Sequence, residues 1–200
     1  MTLVIGLTGG ICSGKSTATI FLQRKYDAII IDADKLGHEA YKPGSEGFVQ
    51  IVRHFGESVV TPDGTIDRRT LGSIVFADKQ KMDELQAIVW PCIRSMIVER
   101  LAEYRTSEIP LVVLEAAVMI EAGWEDLVDS LWVINVDPSI AIGRLQERSG
   151  LSLEECQKRL DAQISNDVRS LRASYILSNL INKEAFENEI MRAYEHTLSK

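Results

Sequence analysis

Gly9-Gly10-Ile11-Cys12-Ser13-Gly14-Lys15-Ser16 constrains this chain more than any other segment. It fits GxxxxGK(S/T) and stands between an apolar run at 3–7 and a helical pattern at 15–26. Glycines at 9 and 14 permit a backbone path in which successive N–H groups point at phosphate oxygens, and the helix that follows adds the positive end of its dipole. Gly10, Ile11, Cys12 and Ser13 make the body of that loop. Lys15 is spaced to reach β and γ phosphates, Ser16 to set its hydroxyl on Mg²⁺, and Thr17 to meet the α phosphate. The competing reading, a glycine-rich turn that caps a helix, is disfavoured because the pattern arises by chance in fewer than about 1 in 100 chains of this length.

The rest of the chain keeps the same rhythm. A run at 28–31 completes a βαβ opening, and further buried-strand patterns lie at 111–114, 131–136 and, more weakly, 175–177. Helical periodicity fills 139–148, 153–164 and 183–198, with Pro138 at an N-terminal position and Ser152 three residues before Glu155 as a capping box. Strands separated by helices predict an α/β fold of three layers, a parallel sheet covered on both faces, with a phosphate-loop NTPase core of nucleotide-kinase type. From about 43 the rhythm breaks: Pro43-Gly44 and Pro62-Asp63-Gly64 signal turns, and helical patterns follow with no strong strand. The reading is one domain, with a core at 1–60 and 111–200, a helical acceptor-binding insertion at about 61–110 and a lid at about 141–165. In an open α/β sheet, ligands bind beyond the carboxyl ends of the strands, so the insertion is expected to form one wall of a cleft.

A phosphate loop serves kinases, switch GTPases and motors alike, so the other residues must separate them. Asp34-Lys35-Leu36-Gly37 reads DxxG, yet the guanine-reading NKxD is missing: the nearest string, Asn182-Lys183-Glu184-Ala185, lacks the carboxylate. Asp32-Ala33-Asp34 closes the second strand, where alternate residues point the same way, and Asp34 suits a base that accepts a proton from an alcohol. An aspartate there also suits the N-cap of a helix starting near Lys35, and the two roles are compatible. Glu115 ends a hydrophobic strand, the place from which an acid holds Mg²⁺ directly or through water. Arg144 and Arg148 share a helix face, with Arg159 on the next helix; they suit a closing lid that clamps phosphates, against a solvated basic face paired to Glu147 and Glu154.

Composition narrows the partners. With 22 Lys plus Arg against 29 Asp plus Glu, the net charge is −7, which argues against holding duplex DNA by phosphate neutralisation. Cys12, Cys92 and Cys156 form no CxxC pair, and His38, His54 and His196 are scattered, so neither a disulfide framework nor a zinc site is expected. No apolar run approaches the about 20 residues of a membrane span, and no secretory signal is visible. The expectation is a cytoplasmic protein without nucleic-acid or membrane partners.

Taken together, the phosphate loop through Thr17, Ile31-Asp32-Ala33-Asp34, Pro43-Gly44, Asp63-Gly64-Thr65-Ile66-Asp67-Arg68-Arg69-Thr70-Leu71 and Val75-Phe76-Ala77 resemble dephospho-CoA kinases, in order and in spacing. The resemblance continues through Arg144 to Arg148, Arg159 to Gln163 and the strand before Asn179. Leu36-Gly37-His38-Glu39-Ala40-Tyr41, Trp90-Pro91 and the stretch from Ala116 to Trp124 look closer to the kinase part of bifunctional CoA synthase; its adenylyltransferase part is not expected here, since the first strand begins almost at once. The resemblance implies ATP-dependent phosphorylation of the ribose 3′-hydroxyl of dephospho-CoA, with Mg²⁺ bound to ATP. It further implies Asp34 as base, with Lys15 and Arg144 acting on the transferred group. Arg68 would bind the phosphates of the acceptor, with Asp32, His38, Tyr41 and Glu115 on the acceptor side. Arg144 would belong to the lid, and Asn179 would lie near adenine. The chain departs from the family at Cys12, usually glycine, at Trp90, often histidine in bacterial forms, and at Ser149, often an acid. Two other readings are a kinase of another nucleoside, nucleotide or small alcohol, and a nucleotide-binding regulatory module without turnover, which intact Lys15 and Asp34 oppose.

Overall fold

The computed structural model describes residues 2–199. Strand β1 (Leu3–Gly9) runs into the loop and helix α1 (Lys15–Tyr26), followed by β2 (Ile29–Asp32), α2 (Ala33–Ala40), α3 (Glu46–Phe55), α4 (Arg68–Ala77) and the long α5 (Lys79–Thr106). Then come β3 (Leu111–Glu115), β4 (Ser130–Asn135), α6 (Pro138–Ser149), α7 (Leu153–Asp161), α8 (Asn166–Ser170), β5 (Tyr175–Ser178) and α9 (Lys183–Leu198). The five strands form one sheet in the order β2-β3-β1-β4-β5. β1 pairs in parallel with β3, Leu7 opposite Glu115, and with β4, Gly9 opposite Ile134; β4 pairs in parallel with β5. The central position of β1 delivers the phosphate loop to the middle of the sheet's carboxyl edge, the predicted place for a ligand.

The chain divides into two compact units: one holds the residues up to Ile31 with those from Tyr104 onward, the other Asp32–Glu103. In the first unit, alternate strand residues face opposite ways, and in the central strands β1, β3 and β4 both sets are buried. Ile5, Leu7, Val113, Trp132, Ile134 and Leu177 pack with Phe21 and Leu22 of α1 and Phe186 and Ile190 of α9. Val4, Val112, Leu114 and Val133 are equally buried from the other face. Strands buried on both sides read as unbroken apolar runs, and each such large side chain contributes roughly 1.5–3 kcal/mol. The unit Asp32–Glu103 has its own core of Ile51, Val59, Ile66, Leu71 and Val75, packed by Phe48, Leu85 and Ile88. Its helices start where capping side chains permit: Ser45 accepts from Phe48 N, and Asp67 accepts from Arg69 N and Thr70 N.

Most boundaries fall within one or two residues of the sequence reading, and two of the differences bear on the site. The helix expected over 153–164 stops at Asp161, because Ser165 accepts from Val168 N and caps a separate short helix, α8. The strand expected at 28–31 is found one residue along, at Ile29–Asp32, and its last residue, Asp32, is already the N-cap of α2, accepting from Lys35 N at 3.1 Å. Asp32, not Asp34, therefore caps this helix. Among the described residues no helix is long and apolar enough to cross a membrane.

Candidate functional site

The loop is built by contacts that only its residues permit. Gly14 caps α1 at φ 108°, a left-handed conformation that favours glycine, and a Cβ there would strike the Asn179 amide nitrogen. A Cβ at Gly9 would stand 2.7 Å from Ile134 O, so the strand pairing itself demands glycine. The Lys15 ammonium donates to Gly9 O at 2.9 Å and Gly10 O at 3.2 Å, and Ser13 N donates to Gly10 O at 3.2 Å. The buried Asn179 amide donates to Ser13 O at 2.7 Å, which ties the end of β5 to the loop.

Arg144 of α6 reaches the same loop: Nη1 donates to Cys12 O at 3.2 Å, and Nη2 lies 3.4 Å from both Asn179 O and Asn179 Oδ1. These are long bonds to neutral carbonyls, which a phosphate oxygen would outcompete. Of the surface partners expected for the arginine pair, Glu154 bonds Lys158 at 2.8 Å instead. A cavity of about 480 Å³ opens over the loop, lined by Cys12 through Thr17 and by Arg144, Arg148 and Asn179. Asn182, Lys183 and Phe186 complete its wall. Lys15, Arg144, Arg148 and Lys183 are its cations, and none of the described residues lining it is acidic. On a chain of net charge −7, that local reversal of sign fits a polyanion. Phosphate-loop residues from 12 to 17, Arg144, Arg148 and Asn179 are thus brought together as predicted. Gly10 and Ile11 line a second, adjoining cavity instead.

Cys12 carries a cost. Its φ of 55° is left-handed, a conformation that costs a side-chain-bearing residue about 1–2 kcal/mol. Cys12→Gly removes that strain while loosening the unfolded chain by about 0.4–1 kcal/mol, so the expected net gain is about 0.5–1 kcal/mol, read from denaturant unfolding. A variant no more stable than the parent would mean that this loop conformation is not strained.

The unit Asp32–Glu103 carries Asp32, Asp34, His38, Tyr41 and Arg68, residues expected on the acceptor side. Ala33, Leu36 and Ala40 bury one face of α2, which leaves Asp34 and His38, four apart, on its exposed face. Tyr41 ends that helix, and the Arg68 guanidinium stands 5.7 Å from its ring centroid. Glu115, of the other unit, ends β3 beside β1. Sequence reasoning missed Asn182, Lys183 and Phe186, although Asn182 shows as an N-cap, accepting from Ala185 N, and sets Lys183 and Phe186 one turn apart. It also missed Arg169, which is 2% exposed, with Nε and Nη2 lacking hydrogen-bond partners. Burial pulls its pKa down, against the opposing pull of the Glu121 carboxylate.

Comparison with known proteins agrees with this geometry. A model of the family described as dephospho-CoA kinase matches residues 3–184. A dephospho-CoA kinase of Geobacter sulfurreducens is 45% identical over 187 residues, covering 94% of each chain. Among solved structures, one from Thermus thermophilus superposes with a TM-score of 0.80 at 31% identity, covering 99% of this chain and 97% of the other. A dephospho-CoA kinase from Campylobacter jejuni does so at 0.71 and 28%, covering 98% and 97%.

Proposed function

The chain belongs to the dephospho-CoA kinase family, and on that footing we propose how it transfers the γ-phosphoryl group of ATP to the ribose 3′-hydroxyl of dephospho-CoA, giving CoA and ADP. The observation that carries the nucleotide half is the cavity over the phosphate loop, with its four cations and no acidic residue among the described residues lining it. Loop amides and Lys15 cradle the phosphates, Arg144 and Arg148 close on them from the lid at about 141–165, and Asn179 stands by the adenine. Arg144 acts by exchanging its long bonds to Cys12 O and Asn179 for phosphate oxygens.

Mg²⁺ fits the donor set. Ser16 lines the cavity over the loop and Glu115 ends β3, and both offer oxygen, the donor a hard divalent cation takes. When bound, it neutralises charge on the β and γ oxygens. Asp34 accepts the proton of the attacking hydroxyl, and Asp32, His38, Tyr41 and Arg68 hold the acceptor, with the insertion at about 61–110 as its wall. Arg68 above the Tyr41 ring supports this, because a guanidinium on an aromatic face is pre-oriented to receive a phosphate. We place the reaction in the cytoplasm, where the free thiols Cys12, Cys92 and Cys156 stay reduced.

Product formation tests the reading: ADP release with MgATP, comparing dephospho-CoA with AMP, adenosine, pantothenate and no acceptor, and CoA identified by mass. A signal that depends on dephospho-CoA is expected, and one that depends only on another acceptor would overturn it. Arg68→Ala is expected to raise the KM for dephospho-CoA about tenfold with the affinity for ATP preserved, read from steady-state kinetics. Weakened ATP binding would instead remove Arg68 from the acceptor side.

A further inference from the structure

The peptide joining Gly10 to Ile11 is held at both of its polar groups. Its carbonyl, Gly10 O, accepts from the Lys15 ammonium at 3.2 Å and from Ser13 N at 3.2 Å. Its amide, Ile11 N, donates to Gln163 Oε1 at 2.9 Å, across 152 residues of sequence. In a trans peptide the N–H and C=O point in opposite directions within one rigid plane, so a bond on one side sets the direction of the group on the other. Gln163 can make this bond because α7 stops at Asp161 and α8 starts after Ser165, which leaves its segment out of helix. The segment is anchored in turn: the Asn166 amide donates to Val136 O at 3.0 Å, and Ser170 Oγ accepts from the Asn135 amide at 2.9 Å. Arg169 backs the peptide, with Nη1 3.5 Å from where a Cβ on Gly10 would stand.

We propose that Gln163 is a positioning residue for Lys15: by holding the Ile11 N–H it fixes the plane of the 10–11 peptide, and through the Gly10 carbonyl the place of the lysine ammonium. Gln163 lies at the end of the lid, so the lid and the phosphate-binding lysine share one rigid peptide. The inference rests on the reading of Lys15 as a nucleotide ligand, not on the identity of the acceptor.

The test is a double-mutant cycle on MgATP binding, read by calorimetry without any acceptor. Gln163→Leu keeps the size of the side chain and loses the acceptor oxygen, and is expected to weaken MgATP about tenfold, the loss of one well-made hydrogen bond. In the Lys15→Ala background the same change is expected to alter affinity less than about twofold, because the residue it acts through is gone. Hydrogen exchange at the Ile11 amide is expected to speed up in Gln163→Leu while the amides of α1 keep their protection, which also verifies that the variant is folded. Gln163→Met carries the same test if the leucine variant is unfolded. Binding within about twofold of the parent, or a tenfold loss that persists without Lys15, would overturn the proposal. Failure to make CoA while the cycle holds would overturn the choice of acceptor and leave Gln163 in its role.

Discussion

Replacing Lys15 by alanine is expected to lower kcat/KM about 10³-fold, equivalent to about 4 kcal/mol of transition-state stabilisation. The ammonium sits over the loop on Gly9 O and Gly10 O, inside a cavity whose other cations are Arg144, Arg148 and Lys183. Lys15 is the cation bonded to the Gly9 and Gly10 carbonyls, whereas Arg144 reaches the loop only through long bonds from α6, so the arginine is not expected to make good its loss as charge develops on the transferred group. Lys15 is only half-buried, and folding stability is expected to change by less than about 1 kcal/mol, which a melting curve checks. Lys15→Arg is expected to fail as a rescue. A compact ammonium can bond two successive carbonyls from one point, whereas a guanidinium presents its donors in a fixed planar fork that does not converge on them. An alanine variant within tenfold of the parent would remove Lys15 from the chemistry.

How much of this was legible beforehand depends on sequence distance. The loop, α1 and the capping box of Ser152 and Glu155 are local patterns, and the structure places them where the residues predict. The burial of both faces of the sheet could be read from unbroken apolar runs. By contrast, the hydrogen bond from Ile11 N to Gln163 spans the chain and leaves no periodic trace, because a glutamine on a helix surface looks the same whether or not it reaches a loop. The end of α7 is ambiguous for a related reason: Ser165 can extend a helix or cap the next one, and local propensity does not separate the two. Asp34 suits the cap of a helix starting near Lys35, but β2 ends at Asp32 and α2 starts at once, which gives the cap to Asp32 instead.

The capping role of Asp32 decides what a change at Asp34 reads out. Had Asp34 capped α2, changing it would have disturbed the helix and mixed stability with catalysis. Because Asp32 does the capping, and Asp34 lies on the exposed face of the first turn, Asp34→Asn leaves the cap of α2 in place while removing the ability to take a proton. Stability is expected to stay within about 0.5 kcal/mol of the parent. kcat is expected to fall by ~10²–10⁴, the usual contribution of a positioned general base. ATP affinity is expected to be unchanged, since the residues that line the nucleotide cavity belong to the other unit. Asp32→Asn separates the two carboxylates: asparagine caps a helix as well as aspartate, so α2 survives, and the lost acceptor-side charge is expected to raise the KM for dephospho-CoA while kcat holds. If Asp34→Asn retained activity within tenfold of the parent, no proton acceptor would be needed at that position, and attack by the hydroxyl would have to rest on phosphate positioning alone. A fall in kcat confined to Asp34→Asn, with ATP binding intact, would locate the proton transfer on α2 and separate it from the phosphate chemistry of Lys15.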